Sequence, residues 1–231
     1  MTKRMAWAQK YRKLNWAHVM FTDRKRFEFK YPGMKATTHK WVEKGTKHEM
    51  YKVNHGMGLN LYAGITPYGL TAAHIVTGTS AHKTHYKNQK GLAARNITTR
   101  EYRDVMTTTL LPEGKRLFSC NGISSWTFQQ DNDPTHKLAP DHVAAWNAKN
   151  ASAVKVMEWP PNSPDLSPIE NIWAYVDVKV QGAGCKTFAE FKEAVLRELR
   201  NVPKGVLANL YGSMRQRVDA VVSLNGGKTK Y

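Results

Sequence analysis

Residues 126–136 read WTFQQDNDPTH, and residues 154–173 read VKVMEWPPNSPDLSPIENIW. In the first segment an apolar and aromatic run leads into Asp131 and Asp133. The second segment begins with a β-like run, crosses a loop with four prolines, and reaches Glu170 where a helix should begin. Acids that follow a strand or begin a helix can converge on one point. Converging carboxylates in a basic protein favour a bound divalent metal and a phosphate-containing substrate.

Length and charge narrow the class of protein. The 231 residues favour a single domain, 1–231, and the formal net charge is +17. Such a charge favours nucleic acid as the first candidate partner and an anionic membrane surface as the second. The sequence has no apolar run long enough for a transmembrane helix, and its first residues lack the apolar core expected of a signal peptide. Its two cysteines give neither a disulfide framework nor zinc-ligand spacing, which favours a reducing compartment.

The apolar pattern predicts a mixed α/β fold. The predicted strands are 18–23 (ending in Asp23 and followed or continued by 27–29), a hairpin of 59–65 and 70–76, 124–130, and 154–157. The predicted helices are 5–15, 99–111 (capped by Thr98 or Thr99 and ended by Pro112), 139–149, and three more that begin near Ser167-Pro168, Thr187 and Pro203. Turns are predicted over 34–57 and a loop over 78–97. This order implies a mixed sheet with helices on its faces.

Three acids from different elements are candidate metal ligands, namely Asp23, Asp131 and Glu170. Phosphodiester chemistry depends on the placement of charge, and two divalent ions can activate the attacking oxygen and stabilise the leaving one. Magnesium prefers oxygen ligands and keeps several waters, so three carboxylates are enough to hold it.

Each acid also has a purely structural interpretation. Asp23 can begin a turn before three basic residues, and the Asp131–Asp133 segment suits an Asx turn or a helix cap. Glu170 lies three residues after Ser167, which is the spacing of a capping box. His136 is explained better as a hydrogen-bonded polar residue near a helix start than as a metal ligand. The tryptophans at 126, 146 and 173 fit core positions better than stacking platforms.

The same residues carry a family resemblance. QQDNDPTH at 129–136, followed by EWPPNSPDLSPIENIW at 158–173, resembles the signature of mariner-superfamily transposases, within the DDE class of recombinases. VMFTDRKRFEF at 19–29 is similar to the segment with that family's first catalytic aspartate, which falls on Asp23. The resemblance covers most of the chain, including the hairpin at 58–77 and the sequence RVDAVVSLNGGKTKY at 217–231.

The resemblance implies an RNase H-like fold and a magnesium- or manganese-dependent enzyme that cuts transposon ends and transfers strands into target DNA. It assigns the catalytic and metal-binding roles to Asp23, Asp131 and Glu170. DNA is the implied partner, a homodimer is left open, and neither a membrane nor a small-molecule cofactor is implied. The expected location is the nucleus of a eukaryotic host, or otherwise the cytoplasm.

The chain departs from the family pattern at three points. Arg24 stands where the family commonly has an acid after its first aspartate. Thirty-eight residues, 132–169, separate the second and third acids, a few more than usual, and the excess is expected near 147–153. About twenty residues precede Asp23, where family members carry helix-turn-helix domains, so a catalytic core alone is expected.

These departures leave more than one function open. The first hypothesis is an active DNA strand transferase or nuclease core, which the three acids favour. The second is an inactive DNA-binding relic of a transposase, which the missing end-recognition region favours. An RNA-cleaving enzyme of the same fold is less favoured, because the central motif is transposase-like.

Overall fold

The computed structural model describes residues 2–29, 57–76 and 97–231, which form one mixed sheet with helices packed on both faces. The strands are β1 (Val19–Glu28), β2 (Gly58–Thr66), β3 (Gly69–Leu70), β4 (His74–Ile75), β5 (Ser125–Gln129) and β6 (Ala153–Val156). The α-helices are α1 (Lys3–Tyr11), α2 (Thr99–Val105), α3 (Leu111–Ser119), α4 (Ala139–Asn150), α5 (Ile169–Gln181), α6 (Phe188–Arg200), α7 (Lys204–Gly212) and α8 (Met214–Ser223). The turns predicted for 34–57 and the loop predicted for 78–97 fall almost entirely outside the described residues.

The sheet combines antiparallel and parallel pairing, as predicted. Its strand order is β3-β2-β1-β5-β6, and β4 also pairs with β2. β1 runs antiparallel to β2, whereas β5 is parallel to both of its neighbours, β1 and β6. Parallel neighbours require a crossover, and α4 supplies the one between β5 and β6. The parallel strands therefore end at one edge of the sheet, next to the loops that follow them.

Alternating side chains of β1 bury both faces of the sheet. Phe21 packs into a core with α5 and the helices that follow it, while Met20 packs into a second core with α2, α3 and α4. The tryptophans predicted to be core residues, Trp126, Trp146 and Trp173, are all buried. Burial of one large apolar side chain contributes roughly 1.5–3 kcal/mol, so two such cores fix the sheet and hence its edge.

Pro112 does not end a helix, and that prediction is wrong. α2 continues through one π-helical turn, Met106–Leu110, directly into α3. Pro112 lies in the first turn of α3, where its missing N–H leaves no helical hydrogen bond broken. Gly114 then allows close packing, because a Cβ there would lie 2.7 Å from the Trp126 ring.

Two other predicted elements are divided. The strand predicted over 70–76 is reduced to β3 and β4, because the Thr71 hydroxyl accepts the Gly64 amide in place of a ladder carbonyl. The helix predicted from Pro203 is two helices, α7 and α8, separated at Ser213. The Ser213 hydroxyl donates to the Leu210 carbonyl over 2.6 Å, competing with helical bonding there. Four helices thus follow β6 in the described residues, and not the predicted three.

Other helix starts lie as predicted. The Thr98 hydroxyl and the Glu101 carboxylate form a complete capping box at the start of α2. The Thr187 hydroxyl accepts the Glu190 amide at the start of α6. In the described residues, no helix is long and apolar enough to cross a membrane.

Candidate active site

Asp23 lies inside β1, which corrects the prediction that a strand ends there. β1 pairs with β5 only over Val19–Phe21, then continues beside β2 as far as Glu28. The interpretation of Asp23 as the start of a turn is wrong, because the basic residues after it remain in the strand. Its antiparallel partner on β2 is Ala63. Asp23 is therefore fixed by strand pairing at the point where the parallel ladder has stopped.

Asp131 lies at the matching position after β5. Phe21 and Gln129 are the last paired residues of the parallel ladder, and each acid comes two residues later in its own segment. The Thr22 hydroxyl donates to the Gln129 carbonyl over 2.7 Å, which holds the two strands together at this level. Because Asp23 and Asp131 each follow this last pair of two parallel neighbours by two residues, the register brings them to the same side of the domain.

Glu170 is in the first turn of α5, and its capping-box interpretation is wrong. Pro168 occupies the N-cap position, and no side-chain hydrogen bond caps this helix. The Glu170 amide bonds to the main-chain oxygen of Ser167, 3.2 Å away, and its side chain is exposed. Trp173 lies one turn further along α5 and donates its indole N–H to Asp23 Oδ2 over 2.8 Å. Residues three apart share a helix face, so Glu170 lies toward Asp23.

The charges of neighbouring acids affect the pKa values of Asp23 and Glu170. Burial raises the pKa of Asp23 to about 7, and the charges of Glu170 and Asp131 add to this effect. The Trp173 hydrogen bond acts in the opposite direction but does not outweigh them. Partial desolvation by the surrounding residues also raises the pKa of Glu170, while the charge of Lys25 lowers it and the charge of Asp131 raises it further. Uncompensated carboxylates of this kind gain stability from a cation.

Asp131 is held by two donors on one oxygen. Its Oδ1 is 2.7 Å from His136 Nδ1 and accepts the Asp133 amide over 3.2 Å. Partial burial raises the pKa of Asp131, but His136, the Asp133 amide and the charge of Arg24 outweigh this, so the pKa is lowered. The side chain is 55% exposed. Asp131 thus makes the contacts of a turn residue and is also an accessible, ionised carboxylate.

His136 belongs to a buried network that the sequence analysis did not find. Its ring stacks on Tyr102 with centroids 3.8 Å apart. The Tyr102 hydroxyl donates to Gln130 Oε1 over 2.7 Å, and Gln130 Nε2 donates to the His136 carbonyl over 3.1 Å. The network locks the segment that carries Asp131. The five-residue spacing of Asp131 and His136 was visible in the sequence, but nothing there linked Tyr102 to them.

Asp133 has the structural role that its spacing suggested. Its Oδ1 accepts the Thr135 amide over 2.8 Å and the Thr135 hydroxyl over 2.7 Å. These contacts cap the short 3₁₀ turn Pro134–His136, which carries the His136 ring back toward Asp131. The two acids of the DND sequence therefore differ, since one closes the turn and the other remains accessible.

The three candidate acids are neighbours without forming a ready-made ligand shell. Across 2–29, 57–76 and 97–231, no three His, Cys, Asp or Glu side chains are grouped closely enough to hold a metal. Asp23 and Asp131 are each drawn to a separate donor, Trp173 and His136. A groove of about 680 Å³ opens beside Asp131, and Val143 from α4 is among the residues that line it. This groove can hold a ligand next to the accessible Asp131 carboxylate, and neither Asp23 nor Glu170 lines it.

Comparison with known proteins identifies relatives of this chain, although no family model matches it. The Tcb1 transposase of Caenorhabditis briggsae is 35% identical over 134 residues, covering 56% of this chain and 45% of the relative. The Tcb2 transposase of the same species is 25% identical over 238 residues, covering 99% of this chain and 77% of the relative. The chain is therefore similar in sequence to transposases of transposable elements. The Tc1 transposase of Caenorhabditis elegans is 33% identical over 135 residues, and this alignment covers 57% of this chain and 45% of the relative.

Solved structures of Mos1 mariner transposase are similar to this chain at the level of fold. The catalytic domain of Mos1 mariner transposase matches with a TM-score of 0.64 and 12% identity, over 100% of this chain and 98% of that one. A pre-cleavage Mos1 transpososome matches with a TM-score of 0.69 and 13% identity, over 98% of this chain and 63% of that one. The RNase H-like fold implied by the sequence resemblance is confirmed. The matched segment spans less than half of the Tcb1 and Tc1 transposases.

Proposed function

We propose that this chain is the catalytic core of a metal-dependent DNA transposase, which cleaves phosphodiester bonds and transfers strands in DNA transposition. The observation that carries the proposal is the approach of Asp23, Asp131 and Glu170 from β1, from the end of β5 and from α5. The relationship to transposases supports it further. In this proposal residues 1–231 act as one catalytic domain.

The chemistry of these three acids suits Mg²⁺ or Mn²⁺. All the donors are carboxylate oxygens, which these ions prefer. The raised pKa values of Asp23 and Glu170 indicate negative charge that a cation would offset. Solved Mos1 paired-end complexes include one with Mn and one with Mg. A bound divalent ion would supply an activated water or hydroxyl and would offset charge on phosphate oxygens.

The chain's own residues would orient the site before substrate arrives. Trp173 fixes one oxygen of Asp23, and His136 fixes one oxygen of Asp131, so each carboxylate approaches in a defined orientation. The buried stacking of His136 on Tyr102 keeps that second contact in place. Such supporting contacts around ligands typically change metal affinity or activity by about 10–100-fold when removed.

DNA is the proposed substrate. The net charge of +17 favours a polyanion, and Arg24 lies on β1 directly after Asp23, close enough to lower the pKa of Asp131. In this proposal Arg24 attracts the phosphate backbone, and the groove beside Asp131 receives the strand. Solved Mos1 complexes include one with the left transposon end. Action on chromosomal DNA would place the protein in the nucleus of a eukaryotic host.

Nicking of supercoiled plasmid tests the proposal. Wild-type protein should convert supercoiled to open-circular DNA when Mg²⁺ or Mn²⁺ is added, and EDTA should stop the reaction. Each of Asp23→Asn, Asp131→Asn and Glu170→Gln should abolish it. DNA binding without metal-dependent nicking by the wild type would support the inactive-relic hypothesis instead.

A further inference from the structure

The loop that delivers Glu170 is anchored by residues from distant parts of the chain. This anchored loop comprises residues 163–171 and runs from a 3₁₀ turn, Pro164–Leu166, into the first turn of α5. Glu170 itself is exposed, and no side-chain hydrogen bond caps its helix. Its position therefore depends on how the rest of the anchored loop is held.

Arg4 and Thr229 are the first anchors, and both bind the carboxylate of Asp165 in the loop. Arg4 on α1 forms a bidentate pair with this carboxylate, at 2.9 Å to Oδ1 and 2.7 Å to Oδ2. The amide and hydroxyl of Thr229 both donate to Oδ2 as well, at 2.8 and 2.9 Å. Arg4 and Asp165 side chains are only 11% and 9% exposed. Partial burial raises the pKa of Asp165, but Arg4 and Thr229 outweigh this and lower it, so the pair is charged.

Arg217 is the second anchor, and it reaches the residue next to Glu170. Its guanidinium donates to the Asp165 main-chain oxygen over 3.0 Å, to Asn171 Oδ1 over 2.8 Å and to Ser213 Oγ over 3.0 Å. The residue is 2% exposed, and its guanidinium carbon lies 5.0 Å from the centroid of the Tyr231 ring. Burying an arginine costs several kcal/mol unless its donors are satisfied. These contacts therefore make α8 and the two ends of the anchored loop one unit.

We propose that Arg217 positions Glu170, acting through Asn171 and through the main chain at Asp165. The inference rests on the proposed metal-dependent function, because it concerns how one ligand is set relative to the other two. Asn171 lies in the same helical turn as Glu170, so a fixed Asn171 side chain fixes the start of α5. Arg217 is a positioning residue here, since it contacts the anchored loop and does not reach the carboxylates.

Asn171→Ala is the informative variant. Asn171 is exposed, so alanine disturbs no packing while it removes the acceptor of Arg217 Nη2. Asn171→Asp retains an oxygen acceptor and serves as the rescue variant. Arg217→Lys is a second variant, because lysine keeps the charge but cannot bond three acceptors in a fixed plane.

Arg12→Gln is the matched control. Arg12 joins α1 to α8 through Asp219 at 2.9 Å, the same two helices that supply the anchors, but it does not touch the anchored loop. Both side chains of this pair, Arg12 and Asp219, are substantially exposed. A general loosening of α1 against α8 would affect the control as well.

The measurements are Mn²⁺ binding by electron paramagnetic resonance, without DNA, and the Mg²⁺ concentration that half-saturates nicking. Asn171→Ala and Arg217→Lys should weaken Mn²⁺ binding about tenfold or more and raise the half-saturating Mg²⁺ concentration. Asn171→Asp and Arg12→Gln should match the wild type. Wild-type Mn²⁺ affinity in both Asn171→Ala and Arg217→Lys would overturn the positioning role alone. A wild type that binds no Mn²⁺ would overturn it together with the proposed function.

Discussion

Trp173 on α5 donates its indole N–H to Asp23 on β1 over 2.8 Å, joining residues 150 positions apart in the sequence. This hydrogen bond stabilises the ionised carboxylate. Burial and the charge of Glu170 act against it more strongly, and they raise the pKa of Asp23 to about 7. A proton and a cation therefore compete for Asp23 near neutral pH. The competition can be measured in the stability of the protein.

The stability of the metal-free protein should depend on the charge of Asp23. Because its pKa rises from 3.8 to about 7 on folding, the folded state binds the proton more tightly than the unfolded state. That contribution to stability is fully present below pH about 4 and is lost as the pH rises through about 7. Asp23→Asn removes the charge, so the free energy of unfolding of this variant should exceed that of the wild type at pH 8 by roughly 2–4 kcal/mol.

Urea unfolding between pH 4 and pH 8 in EDTA measures this effect. The difference between Asp23→Asn and the wild type should shrink toward pH 4. Added Mg²⁺ should stabilise the wild type at pH 8 and leave Asp23→Asn nearly unchanged. Stability curves that stay parallel across this pH range would contradict the raised pKa.

The variant Glu170→Gln should distinguish a metal-ligand role of Glu170 from a helix-capping role. Since no side-chain hydrogen bond caps α5, glutamine should leave the free energy of unfolding within about 0.5 kcal/mol of the wild type. Nicking should be lost, because the amide cannot replace a charged ligand. Thermal melting and metal-dependent nicking of the same preparations check both outcomes.

Glu190→Gln is the control for that experiment. Glu190 lies in the first turn of α6, as Glu170 does in α5, and its carboxylate accepts the Lys186 amide over 2.9 Å. This variant should nick DNA at the wild-type rate. Equal nicking by Glu170→Gln and Glu190→Gln would exclude Glu170 as a ligand.

The binding of DNA should be independent of sequence and strongly dependent on salt. Each phosphate that a lysine or arginine neutralises releases counterions, so the affinity falls with the logarithm of the salt concentration. With a net charge of +17, six or more phosphate contacts are expected, and the affinity should fall about a thousandfold or more between roughly 50 and 200 mM salt. Binding isotherms on two unrelated duplexes measure this. An affinity that is flat in salt, or a strong preference for one duplex, would contradict the expectation.

The mixed sheet was predictable because its strands depend on local signals. The apolar runs around Phe21, Phe128 and Val154 set strands. The position of β5 beside β1 does not follow from chain order. The predictions that failed involve competition between local and tertiary effects. Proline normally ends a helix, but the π-helical turn before Pro112 lets the helix continue into α3. Nothing in the sequence reports such a turn.

The supporting residues of the site were harder to predict than its acids. His136, Tyr102 and Arg217 act through contacts across 5, 28 and 46 or more residues of chain, and a single sequence does not encode such pairings in its periodicity. Ser167 and Glu170 have the spacing of a capping box, yet Pro168 takes the N-cap position and leaves the Ser167 hydroxyl out of the cap. The capping box, which was the structural alternative to a ligand role for Glu170, is therefore absent.

Asp131→Asn and Asp133→Asn should behave differently although the two acids belong to one turn. Asparagine at 131 still offers an oxygen to the Asp133 amide and to His136 Nδ1, so the turn should remain folded. Asparagine at 133 likewise still accepts the Thr135 amide and hydroxyl. Only the charge changes in either variant.

If Asp131 holds the metal, Asp131→Asn should lose nicking by orders of magnitude while DNA binding stays equal or rises slightly, because a negative charge near the phosphates is gone. Asp133→Asn should keep most of its nicking, since its carboxylate is already committed to Thr135. Both variants should melt within a few degrees of the wild type, because the turn contacts survive. Nicking rates, DNA affinity and melting temperatures of the three proteins decide the question. Equal nicking by the wild type and Asp131→Asn would show that the first acid of DND only forms the turn, and the metal site would then have to be abandoned.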